Sequence, residues 1–370
     1  MPCALSIARG PRTGRAARLL FVSGTPANVR QGSGTYVGVA TLAQGLERLG
    51  HQVELRAPAR TAGLWRRLWF NWRLDPAEGY DAVVGVDLDG LWLPRGRAPI
   101  AAIKGVLAEE ARFERGWTRF SLELQARLEA RRARRAAYVL VPSAYAAGAV
   151  RGRYGVRPEH IHVIPECIDL AGWQALLATA PTRPASRPVV LCVAHLYPRK
   201  DVATLLRAIA TVDADCELRV VGIGPELDRL RRLAARLGLG SRVRFCGHVA
   251  RAALAAEYRA ADIFCLPSRQ EAFGIVLLEA MAAGLPIVAA RAAAIPELVH
   301  DQHNGRLYPP GDERALAALL NSLLASPQVR LRLAENGRRA VERYDAPRIA
   351  AQFLRALGLD PVSASSPGAS

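Results

Sequence analysis

The stretch Pro267-Ser-Arg-Gln-Glu271-Ala-Phe273-Gly274-Ile275-Val276-Leu-Leu-Glu279-Ala-Met-Ala-Ala-Gly284-Leu-Pro286 decides how the rest of the chain is read. It has the pattern of a strand end, a loop, and a helix that starts near Phe273 and Gly274 and stops at Gly284, ahead of a proline. Apolar residues run nearly all round this helix, which marks it as buried. A carboxylate inside it at Glu279 therefore needs a partner, because an unpaired buried charge is strongly unfavourable. The first amides of the helix, at Gly274, Ile275 and Val276, have no intrahelical acceptor and carry the positive end of its dipole, which makes a phosphate site. Glu271 before the helix and Glu279 within it bracket that site, as a diphosphate flanked by two hydroxyl-bearing sugars requires.

Outward from this stretch the chain repeats one theme, a short apolar strand followed by a turn and a helix. Residues 18–23 form the first strand, Gln31-Gly32-Ser33-Gly34-Thr35-Tyr36 a glycine-rich turn, 37–49 a helix ending at Gly50, and 51–56 the next strand. Strands are expected again at 80–86, 99–103, 137–141 and 161–165, with a long helix over 118–136. Between 169 and 188 the apolar rhythm fades into a linker composition. A second series follows, with strands at 189–193, 217–221, 242–246, 261–267 and 286–290 and helices at 201–210, 224–237 and 274–283. The expected organisation is a flexible extension over 1–17, one Rossmann-like domain over 18–180, a second over 188–345, a terminal helix over 346–359 packing back on the first domain, and a disordered tail over 360–370. With 370 residues, two domains are the natural reading. Parallel sheets of this kind bind ligands beyond the carboxyl ends of their strands.

Composition removes several function classes. The six cysteines, Cys3, Cys167, Cys192, Cys216, Cys246 and Cys265, are scattered without a C-x-x-C pair or a zinc spacing. Neither a disulfide framework nor a metal site is suggested. No apolar run is long enough to span a bilayer, and residues 1–18 lack the apolar core of a signal peptide, so a cytoplasmic protein is expected. The net charge of +17 comes from 50 basic residues, of which only Lys104 and Lys200 are lysines. Arginine serves here for ordinary surface charge, which argues against nucleic acid as the partner. Each lysine becomes a site candidate, since a compact ammonium is not interchangeable with a guanidinium. Leu64-Trp-Arg-Arg-Leu-Trp-Phe-Asn-Trp-Arg73 sets three tryptophans among three arginines. It suits either an anionic membrane surface, together with Arg131, Arg132, Arg134 and Arg135, or a helix with its indoles turned inward.

Glu271-x7-Glu279, with Phe273-Gly274 between, resembles the signature of glycosyltransferase family 4, whose members are retaining enzymes of the GT-B type. The similarity extends over nearly the whole chain. It implies an α/β protein with two Rossmann-like domains facing each other across a cleft. The family's Gly-Arg-Leu-x-x-x-Lys-Gly pattern is replaced here by Ala194-His195-Leu196-Tyr-Pro-Arg199-Lys200-Asp201. By this resemblance Lys200 holds the donor diphosphate and stabilises the leaving group, with His195 in the place of the family arginine and Arg199 as its substitute. Glu271 positions the donor sugar and Glu279 the ribose; Phe273, Gly274, Ile275, Val276 and Val249 complete the donor pocket. Gly222-x-Gly224-Pro225 and the segment 243–249 resemble the turns that face the base, and Ala294-Ile295-Pro296-Glu297 and Asn304-Gly305 resemble structural turns.

On the first-domain side the resemblance places Gly32, Ser33 and Gly34 in the loop facing the donor phosphates and acceptor. Lys104-Gly105 stands where the family often has a histidine. Val141-Pro-Ser143 and Ile164-Pro-Glu166-Cys167-Ile-Asp169 match family turns, with Glu166 and Cys167 replacing Asn and Gly. Asp87-Leu-Asp89 has the form of a D-x-D metal motif, yet the GT-B reading needs no metal, and no cofactor is expected. The implied donor is a UDP- or GDP-sugar and the implied acceptor a glycan or lipid-linked hydroxyl in cell-envelope or exopolysaccharide synthesis. Two other readings stand beside it: a non-catalytic binder of anionic surfaces or nucleic acid on the same scaffold, and a nucleotide-sugar epimerase.

Overall fold

The computed structural model describes residues 16–24, 34–58, 64–73, 79–90, 100–181 and 187–359. The expectations for residues 1–15 and 360–370, and for Gly32 and Ser33, fall outside these. Six parallel strands, β1 (Arg18–Val22), β2 (Gln52–Arg56), β3 (Ala82–Val86), β4 (Ile100–Ala102), β5 (Tyr138–Val141) and β6 (Ile161–Val163), form one sheet in the order β2-β1-β3-β4-β5-β6. Its helices are α1 (Gly34–Arg48), α2 (Leu64–Trp72), α3 (Leu107–Glu110), α4 (Gly116–Ala133) and α5 (Ala144–Tyr154). Next come α6 (Leu170–Thr179) and a second parallel sheet built from β7 (Val189–Val193), β8 (Glu217–Val221), β9 (Val243–Gly247), β10 (Ile263–Leu266), β11 (Ile287–Ala290) and β12 (Gly305–Tyr308). Its order is β12-β11-β10-β7-β8-β9. The strands are joined by α7 (Val202–Thr211), α8 (Leu227–Arg236), α9 (Arg251–Arg259), α10 (Ile275–Ala283) and α11 (Ile295–Leu298), and α12 (Glu313–Leu324), α13 (Pro327–Val341) and α14 (Ala346–Ala356) follow.

These elements divide into two compact units. The first holds the chain up to Ala111, Gly116–Cys167 and the segment from Tyr344 onward; the second holds Arg112–Arg115 and Ile168–Arg343. Residues 169–181, where the composition suggests a linker, instead begin with an ordered helix. Asp169 caps α6 by accepting from the Gly172 amide at 3.2 Å, and Trp173, 1% exposed, anchors it in the second unit. The helix α14 belongs to the first unit, where it lies against α1. Gly45 permits this approach, because a Cβ there would meet the Ala346 carbonyl oxygen at 2.5 Å. Phe353 then reaches Phe21 of β1 at 5.8 Å between ring centroids.

Several helix ends differ from expectation. The chain over 224–226 stays outside α8, since Gly224 presses against the Leu196 main chain, which a Cβ would meet at 2.6 Å. The helix α4 runs two residues earlier and stops three residues sooner than the pattern suggests, and α10 begins at Ile275.

Around the turn after β3 lies a network of buried charge. Asp89, fully buried, accepts from Arg67 Nε at 2.9 Å, Arg67 Nη2 at 2.6 Å, Asn71 Nδ2 at 2.8 Å and the Gly24 amide. Asp87 accepts from the Lys104 amide at 2.9 Å. The D-x-D pair is therefore held by protein donors at the turn after β3. Arg132 of α4 donates to the main-chain oxygens of Gly85, Asp87 and Ile100 at 2.8, 2.5 and 2.9 Å. Gly85 makes room for it: a Cβ there would meet the Asp89 carbonyl oxygen at 2.0 Å.

Glu129 of α4 accepts from the Leu107 amide at 3.2 Å and from the Tyr154 hydroxyl. Burial, reinforced by the Asp87 charge, pushes its carboxyl up to about 8, and burial pushes Asp87 up to about 6. A carboxyl raised in this way folds best protonated. Its contribution is complete below the ordinary carboxyl range and is lost as pH rises towards the folded value. Stability in urea titrations is thus expected to fall between about pH 5 and about pH 8, and Glu129→Gln to flatten that slope, gaining roughly 1–3 kcal/mol at the upper end. An unchanged slope in the variant would show that Glu129 is not its source.

Candidate functional site

Beyond the carboxyl end of the second sheet, the strand order reverses between β7 and β10, which leave in opposite directions along the sheet. Crevices at such points are where open parallel sheets bind ligands. The loop after β7 carries His195, Arg199 and Lys200; the loop after β10 carries Glu271, Phe273 and Gly274. Two contacts tie these loops together. The Arg269 amide donates to the Arg199 carbonyl at 2.8 Å, and Lys200 Nζ meets Glu271 Oε1 at 2.5 Å. Both side chains of that ion pair keep a small exposed fraction, 13% and 10%. Lys200 ends a single 3-10 turn, and Asp201 after it takes a left-handed conformation with φ of 45° that starts α7.

Gly274 sits at the N-cap of α10 with φ of 104°, a conformation that strains residues bearing a Cβ. The first amides of the helix, at Gly274, Ile275 and Val276, have no acceptor within the helix. Phe273 beside it is buried. Ser268 Oγ and Gln270 Nε2 in the same loop are buried and have no hydrogen-bond partner among the described residues. Orphaned buried polar groups are uncommon in native proteins, and each calls for a physical reason such as water, a ligand or strain.

His195 lies at the surface of its loop, its ring 6.4 Å from that of Tyr197, with Arg199 stacked on the other aromatic at 5.1 Å. Partial enclosure, with the cations of Lys200 and Arg199 nearby, lowers its pKa below the usual histidine value. Both effects favour the neutral imidazole, which offers a single N–H donor. The β8 loop closes over the β7 loop here: Gly222 has φ of 138°, and a Cβ on it would meet the Ala194 carbonyl oxygen at 1.9 Å. The Gly-x-Gly pattern serves close approach between two loops. Val249, half-buried, follows Gly247, whose carbonyl accepts from the Gly222 amide at 2.8 Å.

Glu279 has the partners that its burial demands. Tyr258 donates its hydroxyl to Oε2 at 3.0 Å, and Arg251 Nη1 reaches Oε1 at 3.2 Å. Arg251 also lies over the Trp173 ring at 4.8 Å, Trp173 donates its indole N–H to the Glu279 carbonyl at 3.1 Å, and Trp173 and Tyr258 meet edge to face at 5.5 Å. Desolvation nonetheless raises the Glu279 pKa. Arg251, Tyr258 and Trp173 were missing from the sequence-level site. The demand for a partner was visible at Glu279, but its supply depends on α6 and α9 packing against α10.

On the first unit, Lys104 is bound to Glu166 at 2.8 Å, both largely buried, beyond the ends of β4 and β6. The substitution of Glu for the family asparagine at 166 is thus matched to the lysine at 104. Gly34 opens α1, and among the described residues nothing lies within 4 Å of a Cβ placed on it.

Comparison with known proteins gives these loops a context. The chain superimposes on Anabaena HepE, solved in complex with UDP-glucose, with a TM-score of 0.72 at 24% identity, covering 92% of this chain and 99% of that one. The fold is GT-B. Residues 64–171 match the family model described as Glycosyltransferase Family 4, and residues 178–340 the model described as Glycosyl transferases group 1. The chain belongs to this glycosyltransferase family. Among curated relatives it is 36% identical to the MMP alpha-(1->4)-mannosyltransferase of Mycolicibacterium hassiacum, over 65% of this chain and 57% of the relative. It is 43% identical to the phosphatidyl-myo-inositol mannosyltransferase of Mycobacterium leprae, over 43% and 42%. The chain spans about half the length of the curated relatives it matches.

The Glu279 cage yields a test. Arg251→Leu removes the cation while leaving the carboxylate buried, so its pKa rises further and the cost grows with pH. Because Arg251 is 41% exposed, a loss of only about 1 kcal/mol is expected at neutral pH, less at about pH 5, measured by thermal unfolding. Equal losses at both values would contradict this account.

Proposed function

We propose that the protein is a retaining glycosyltransferase that moves a hexose from a UDP- or GDP-sugar to a hydroxyl of a glycan or lipid-linked acceptor in cell-envelope or exopolysaccharide synthesis. The observation that carries this reading is the Lys200–Glu271 pair at the switch point of the second sheet, beside the left-handed Gly274 that opens α10. A cation, free helix amides and a carboxylate within one crevice suit a sugar diphosphate, and the family membership supports the same class.

In this reading the diphosphate lies against Lys200 and the α10 amides, and Glu271 receives the donor sugar hydroxyls once Lys200 turns to phosphate. Glu279, oriented by Arg251 and Tyr258, receives the ribose. The acceptor oxygen attacks the anomeric carbon on the face from which the diphosphate departs. The anomeric C–O bond to phosphate breaks as the new C–O bond forms, and the leaving phosphate takes the acceptor proton. Lys200, the helix amides and the neutral His195 N–H stabilise the charge that grows on the leaving oxygen. No metal or cofactor enters this scheme. Lys104 with Glu166 is assigned to substrate contact on the acceptor side, as are Gly32, Ser33 and Gly34. The names of both relatives favour a mannosyl donor, and that of the Mycobacterium leprae relative favours an acceptor of the inositol-lipid kind; the proposed place of work is the inner face of a membrane.

Lys200→Ala and Glu271→Ala are expected to lower transfer by roughly a hundredfold to a thousandfold while the circular dichroism spectrum is unchanged. The assay is nucleotide release from a panel of UDP- and GDP-sugars, with and without lipid extract. Wild-type rates in either variant would overturn the site. Product formed without any acceptor would point instead to an epimerase.

A further inference from the structure

Among the described residues, no helix is long and apolar enough to cross a membrane. One helix of the first unit nevertheless presents large apolar side chains to solvent in a single line. The inner side of α4 is Ala126, Glu129, Ala130, Arg132 and Ala133, all buried. Its outer side carries Trp117, Phe120 and Leu124, exposed by 80%, 52% and 38%, then Arg127 and Arg131, also exposed. The spacing 117, 120, 124, 127, 131 follows one face of an α-helix. Trp117 and Phe120 pair at 5.4 Å between centroids, and both keep more than half of their surface exposed. Isolated exposed apolar residues are ordinary, but an aromatic pair continued by leucine along one stripe marks an interaction surface.

We infer that this outer stripe of α4 is a membrane-docking surface, which inserts Trp117, Phe120 and Leu124 into the interface of an anionic bilayer and sets Arg127 and Arg131 against lipid phosphates. Aromatic side chains favour the interfacial zone, and arginine reaches phosphate while its stem covers apolar surface. Neither Arg127 nor Arg131 is ion-paired among the described residues, so both charges are available. Charge complementarity selects this occupant. A second copy docked on the same stripe would bring the arginines of two chains of net charge +17 together, whereas an anionic surface attracts them. The inference rests on the reading of a lipid-linked acceptor and names the surface that brings the enzyme to it. It is separate from the Trp and Arg helix α2, where Trp69 and Trp72 are also exposed while Arg67 turns inward to Asp89.

The test is sedimentation of the full chain with vesicles of phosphatidylcholine mixed with phosphatidylglycerol, and with vesicles of phosphatidylcholine alone. Wild type is expected to bind the mixed vesicles and not the neutral ones. Trp117→Ser/Phe120→Ser is expected to weaken binding by about tenfold or more, through the loss of two interfacial anchors. Arg127→Glu/Arg131→Glu is expected to weaken it comparably and to reduce its salt dependence. All four positions are exposed, and UDP and GDP titration of each variant reports whether the donor site is intact, which keeps failure of this inference distinct from failure of the transferase reading. Three results would each overturn it: binding to the mixed vesicles unchanged in the aromatic variant, no binding by the wild type, or a dimer in solution that the aromatic variant dissolves.

Discussion

The main-chain bond from the Arg269 amide to the Arg199 carbonyl, at 2.8 Å, fixes the spacing of the two loops on which the donor side depends. With that bond in place, Lys200 and Glu271 can meet at 2.5 Å although they are 71 positions apart in the chain. The sheet order supplies the rest: β7 and β10 are neighbours, and each delivers its loop to the same crevice. An ion pair of this kind, mostly buried, adds little net stability, because desolvation offsets the attraction. Its value lies in readiness. In the proposed reading the ammonium is held ready for a diphosphate, and the carboxylate is released to accept hydroxyls once the ammonium turns to phosphate.

Glu279 poses the opposite problem, since it stands inside a helix that is apolar on almost every side. Tyr258 and Arg251 bind its two oxygens, and Trp173 holds the main chain behind it. The arginine is also stacked on the indole, so the aromatic ring orients the cation and covers its apolar face. A carboxyl with a raised pKa but two fixed donors stays in one rotamer, which suits recognition of a diol more than proton transfer.

How much of this could be read beforehand differs from element to element. The loop and helix from Pro267 to Pro286 were legible because a glutamate in an apolar helix, a glycine before it and a proline after it each have one economical explanation. The parallel sheets were legible from short apolar strands alternating with helices. The helix α6 was missed: its Ala- and Thr-rich run resembles a linker, although Asp169 three residues before Gly172 is a capping signal and Trp173 a burial signal. The cage around Glu279 was not legible, since no local pattern reveals which helix will lie beside α10. Neither was the match between Lys104 and Glu166, two departures from the family pattern 62 positions apart that explain each other only when β4 and β6 deliver them to one place.

The two sheets reach the same kind of edge and treat it differently. At the turn after β3, beside the order reversal of the first sheet, Asp89 is saturated by Arg67, Asn71 and the Gly24 amide, and Arg132 is saturated by three carbonyls. Among the described residues, the charges of that turn are met by the protein's own groups. At the corresponding edge of the second sheet, Ser268 Oγ and Gln270 Nε2 lack partners, the α10 amides have no intrahelical acceptor, and Lys200 has a single carboxylate. Buried polar groups left open cost stability, and a ligand or water that binds there offsets the cost. The first unit keeps such an atom as well, Glu166 Oε2 beside Lys104, so both units hold polar groups that a ligand can complete.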